Sequence, residues 1–156
     1  MATPQAAPPA PTALKLTPAL QDLVNTALER GRMLSVAYVG ADGRPELSFR
    51  GSVQAYSDHQ LAIWVRNPEG GILAAVREGR LHVALLYGEI GPDAKAFVTF
   101  RGRGRIDDSP AARTAVYGNS PQIERNLDKE QRGLPLIIDL DAVDGFFGGS
   151  VLKMRR

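Results

Sequence analysis

The stretch LSFRGSVQAYSDHQLAIWVR, Leu47 to Arg66, constrains this chain most. Apolar and polar residues alternate in two runs, parted by a short polar loop. A period of two marks a strand with one buried face. In the first run Leu47, Phe49, Gly51, Val53 and Ala55 share one side, and Ser48, Arg50, Ser52 and Gln54 share the other. In the second run Leu61, Ile63 and Val65 are apolar, with Ala62, Trp64 and Arg66 opposite. Burying both apolar sets together fixes the pairing. Ala55 then faces Leu61, Val53 faces Ile63 and Gly51 faces Val65. On the other face Ser52 lies across from Trp64 and Arg50 across from Arg66.

Like charges directly opposite in a sheet cost about 0.2–1 kcal/mol. Two arrangements relieve that cost. Both guanidiniums reach solvent or carboxylates elsewhere in the chain, or they hold an anion between them, as guanidinium forks suit phosphate oxygens. The next residues bear on the second. Arg66 runs into NPEGG, where Asn67 can cap a helix with Pro68 in its first turn. A helix start offers free N–H groups, and Gly70 and Gly71 permit close approach to the backbone. Glu69, in the same turn, complements the helix dipole by itself.

The remaining elements follow from punctuation and period. Thr17 and Pro18 open a helix that Gly31 closes, with Leu20, Leu23, Val24, Ala27 and Leu28 on one stripe. The run MLSVAYVGADGRPELSFRGSVQAY reads as strand, turn and strand, with a hairpin signal at Asp42-Gly43. Strands are expected over Leu61–Arg66, Leu81–Tyr87 and Lys95–Ile106. A short helix following Asn67 ends at Gly79, two short helices open at Ser109-Pro110 and Ser120-Pro121, and LPLIIDLDAVDGFFGG supplies at least one more strand. The order predicts an α+β fold on an antiparallel sheet closed into a small barrel. At 156 residues the chain fits one domain, 17–156, behind an Ala/Pro-rich disordered tail, 1–16.

These residues resemble the pyridoxamine 5′-phosphate oxidase-like FMN-binding split barrels. The resemblance spans roughly Leu20 to Ile106 and is most specific at the Gly-x-Pro turn, Gly43 to Pro45, followed by Arg50. It implies a six-stranded antiparallel split β-barrel with peripheral helices, a homodimer, and FMN at the subunit interface. Carried over, Arg50 is a phosphate ligand, with Gly51, Ser52 and Val53 lining the flavin. Trp64 and Val65 sit beside the cofactor, and Arg66, Asn67, Gly70 and Gly71 lie at its phosphate end. Many members carry a Ser-x-Lys element where this chain has PEGG, so phosphate affinity would rest on Arg66 and the glycine amides. Other members bind deazaflavin F420 or haem. With only His59 and His82 present, haem is disfavoured, and His82 reads as a core or interface residue.

The implied function is an FMN-dependent oxidoreductase moving hydride between flavin and a small organic substrate. The alternatives are a non-catalytic flavin-binding protein and an F420-dependent reductase. No catalytic acid or base and no metal cluster stands out. The absence of cysteine removes disulfides and thiolate chemistry and fits a cytoplasmic setting. A net charge of +2 argues against nucleic-acid binding, although RGRGR, Arg101 to Arg105, is locally basic. Asp139, Asp141 and Asp144 read as the polar side of a strand, and the terminal LKMRR as a frayed end or an arm across a dimer. No apolar run approaches the roughly 18 residues of a membrane helix.

Overall fold

Thr17 opens the first helix, α1 (Pro18–Asn25), by accepting a hydrogen bond from the Leu20 N–H at 3.3 Å. The helix stops at Asn25, and turns carry the chain to Gly31. Its stripe of Leu20, Leu23 and Val24 is buried against the sheet. The structure, a computed structural model, describes residue 1 and residues 3–156.

Ahead of α1 lies a two-residue strand, β1 (Thr12–Ala13), and Leu14 and Leu16 are buried. Residues 12–16, expected within the disordered tail, therefore belong to the fold. After α1 come β2 (Leu34–Val39) and β3 (Pro45–Arg50), joined by the expected hairpin. Gly43 has φ +80° in that turn, and the Gly40 N–H reaches the Arg44 carbonyl. Then follow β4 (Gln54–Ser57), β5 (Gln60–Val65), α2 (Gly71–Arg77), β6 (His82–Ile90) and β7 (Lys95–Ile106). The chain ends with α3 (Pro110–Asn119), α4 (Gln122–Asn126), β8 (Leu134–Phe147) and β9 (Ser150–Arg155).

Among the described residues the fold is mixed α+β with a nine-stranded sheet and four helices. This corrects the expected strand count of six. It also corrects the all-antiparallel pairing, because β1 runs parallel to β9. The hydrogen-bonded path runs β3-β2-β6-β7-β8-β5-β4. Its two ends, β3 and β4, are consecutive in the chain and parted only by Gly51, Ser52 and Val53. The sheet thus curls back to its own starting segment and stays open there. At the other edge, β8 pairs with β5 through its first half and with β9 through its second. LKMRR is thereby part of a strand rather than a frayed end.

The break between β3 and β4 changes the register. Ala55 does face Leu61, and Gln54 faces Ala62, but the ladder ends there. Arg50 pairs with Leu34 of β2, not with Arg66. The expected like-charge pair does not exist. Ser52 replaces the lost rungs: its hydroxyl accepts from the Trp64 N–H at 3.1 Å and donates to the Trp64 carbonyl at 3.0 Å. Gln54 ties the break to α3, donating to the carbonyls of Ser52 and Val116.

The faces differ from the alternation as well. Leu47 and Phe49 are 72% and 66% exposed, whereas Ser52 and Gln54 are buried. The reason is a second layer. α3 covers the outer face of β5, where Ala62, Trp64, Ile137 and Val116 form their own apolar cluster. Inside the sheet, Leu34, Val36, Val53, Ile63, Leu85, Phe100 and Leu136 belong to the main core.

Candidate functional site

A cleft of about 220 Å³ opens at the β3/β4 break. Arg50, Gly51, Ser52, Trp64 and Arg66 line it, joined by Met33, Phe49 and Glu124. Five of the sequence-derived candidates therefore meet in one place, brought there by the curl of the sheet rather than by a shared hairpin.

Arg50 is the least satisfied of them. Its Nε is buried and has no hydrogen-bond partner, and among the described residues its guanidinium forms no ion pair. Buried polar groups are nearly always paired, so this atom points to a ligand. Arg66 lies just past the end of β5, half exposed, with its Nε 3.9 Å from the Glu124 carboxylate. Glu124 also packs against Gly51, where any β-carbon would collide with its carboxylate. Two guanidiniums thus share the cleft with one carboxylate.

Trp64 contributes a wall, but its ring is engaged elsewhere. Its indole N–H donates to Asp128 at 2.9 Å, the Arg113 guanidinium stands 5.2 Å from its ring centre, and Tyr117 meets it edge-on at 5.1 Å. Burial works to raise the Asp128 pKa. The backbone N–H groups of Arg132 and Gly133 and the Trp64 indole outweigh it, leaving this carboxyl below the ordinary aspartate range.

The other candidates do not line the cleft. Val53 and Val65 are in the main core. Asn67 does not cap α2, which begins at Gly71 with Gly70 as its cap residue. Its side chain instead accepts from the Glu69 N–H, and its carbonyl accepts from Gly70, closing a turn. The space beside Gly70 is taken by the Asn67 carbonyl, and that beside Gly71 by the Tyr38 hydroxyl. Both glycines serve contacts within the protein.

Glu124 was not foreseen. Ser120-Pro121 announces a helix, yet nothing in the sequence places it over residue 51. The three arginines of RGRGR are neutralised across the sheet, Arg101 by Asp144, Arg103 by Asp141 and Arg105 by Asp139, at 3.0–3.1 Å. His82 is exposed, which corrects the core half of its core-or-interface expectation. Among the described residues there is no cluster of metal-ligating side chains, and no helix is long and apolar enough to cross a membrane.

No family model and no curated protein matches the sequence. Solved structures do match the fold. HupZ of Group A Streptococcus superposes with a TM-score of 0.60 at 16% identity, covering 86% of this chain and 97% of its own. General stress protein 26 from Bacillus anthracis gives 0.59 at 14% identity, covering 86% and 98%. A protein of the pyridoxinephosphate oxidase family related to general stress protein 26, from Clostridium acetobutylicum, gives 0.60 at 10% identity, covering 84% and 90%. The chain has the pyridoxamine 5′-phosphate oxidase-like fold. At these identities the likeness is one of fold.

Proposed function

We propose that this chain is an FMN-dependent oxidoreductase, working as a cytoplasmic homodimer on a small organic substrate. One observation carries the reading: the buried, unpartnered Nε of Arg50 in a cleft that also holds Arg66. This donor set fits a phosphate group. Arg50 would hold the phosphate, and Arg66 would add charge from the end of β5. The Ser52 hydroxyl is committed to the Trp64 backbone, so its part is to fix the Gly51–Val53 backbone along the ligand. Bound flavin would supply the hydride chemistry, and the protein would position it.

The homodimer is supported by size and surface. The cleft is smaller than the roughly 300–1,000 Å³ of ordinary ligand pockets. Phe49 and Met33 stand exposed at its rim and Leu47 beside them, an apolar surface suited to closure by a second copy.

Glu124 beside Arg66, with no lysine in PEGG, favours a second reading. In it the same cleft binds flavin without turnover, or takes F420 in an F420-dependent reductase. The deciding experiment is to add FMN to purified protein, desalt it and record the absorbance spectrum. Retained flavin that NADH or NADPH reduces supports the oxidoreductase, and retained flavin that does not cycle supports the non-catalytic binder. Protein that retains F420 but not FMN supports the reductase, and protein that retains neither sinks all three.

A further inference from the structure

Glu124 sits on the shortest of the four helices, α4, five residues with no side-chain cap and no buried residue. Its side chain nevertheless reaches into the cleft and is only 16% exposed. Two things hold it there. One is the charge of Arg66 at 3.9 Å, too long for a hydrogen bond. The other is the seat that Gly51 provides by having no side chain. Among the described residues the Glu124 carboxylate makes no hydrogen bond, while Arg50 still lacks a partner. A carboxylate is thus parked in a cationic cleft without a hydrogen bond, on a five-residue helix that buries none of its residues.

We infer that Glu124 is a built-in competitor for the anion site, occupying the space beside Arg66 until a phosphate-bearing ligand displaces it. The inference rests on the phosphate reading of Arg50 and Arg66 and adds a selectivity to it. Glu124 brings one negative charge and no hydrogen bond. A phosphate monoester brings about −1.5 to −2 and three acceptor oxygens, so it satisfies Arg50 and outbids the carboxylate at Arg66. A singly charged carboxylate ligand can also bond Arg50, but it brings to Arg66 no more charge than Glu124 already supplies. The residue would therefore screen the cleft against weak anions, at the cost of lowering affinity for the ligand it admits.

The test is Glu124→Gln, which keeps shape and removes charge, with Glu124→Ser as a second variant. Binding of inorganic phosphate is measured by equilibrium dialysis, with fluorescence of Trp64, the chain's single tryptophan and a wall of the cleft, as a parallel readout. Both variants are expected to bind phosphate roughly tenfold more tightly than the parent. FMN should gain similarly, and riboflavin, which lacks the phosphate, should not. Phosphate bound equally by all three proteins, or by none, overturns the inference. If the variants gain phosphate affinity but no form retains FMN, the competitor role stands and the flavin reading falls. If every form retains FMN with one affinity, the flavin reading stands and the competitor role falls.

Discussion

Arg50 shows how much a single unsatisfied atom can say. A guanidinium edge buried without a partner forfeits hydrogen bonds worth about 1.5–3 kcal/mol each to a charged group, and the chain keeps it at the mouth of a cleft. Arg50→Ala is expected to weaken FMN retention about ten- to a hundredfold while leaving the melting temperature nearly unchanged, read by flavin fluorescence and thermal unfolding. A variant that melts early instead would assign the side chain to packing. Asp128 answers a different question at the same scale. Its pKa is lower folded than unfolded, so its contribution is complete above the ordinary aspartate range and is lost as pH falls through the depressed value. Trp64 fluorescence is expected to report that loss on acidification, and Asp128→Asn to flatten the response.

Among the elements, the short strand β1 and the residues after it carry a clear expectation. Leu16 is 1% exposed, so Leu16→Ala is predicted to cost about 2–5 kcal/mol, measured by denaturant unfolding. A cost near zero would return this segment to a dispensable tail. The comparison shows what local pattern can and cannot convey. Thr17, Ser109 and the Asp42-Gly43 turn were legible because caps and turns are set by near neighbours. The β3/β4 break was hidden because Gly51 keeps the alternation in phase while the backbone turns away. Gln54 is tied inward by α3, more than fifty residues distant in sequence, and Ser52 by the Trp64 backbone, whereas their polarity alone pointed outward. Arg50 and Arg66 were recognisable as a pair for a reason that proved wrong, opposition in a hairpin, and they meet because the sheet curls. Glu124 needed the fold to be seen at all.

The whole molecule presents an uneven exterior. Around β7 and β8, arginines and aspartates alternate in neutral pairs, an arrangement that contributes little net field and, pair by pair, modest stability. Around β3 and β6, by contrast, Leu47, Phe49, Leu86 and Ile90 stand exposed. Leu47→Lys together with Phe49→Lys is expected to leave the protein monomeric in sedimentation at micromolar concentration, where the parent is expected to sediment as a dimer. FMN retention should fall with it, since the cleft rim is the same surface. A parent that sediments as a monomer would remove the homodimer from the proposal.

The parallel pairing of Thr12 with Met154 has a consequence in time. Synthesis from the N-terminal side must leave Thr12, Ala13 and Leu14 unpaired until every strand between them and β9 has been made, because their backbone partners lie in β9. Among the described strand pairs, β1 with β9 spans the longest stretch of sequence and so carries the largest loop-closure entropy. β1 is thus among the last strands to be paired, and a polypeptide halted before β9 would be left with an open sheet edge and Leu14 without its backbone partner.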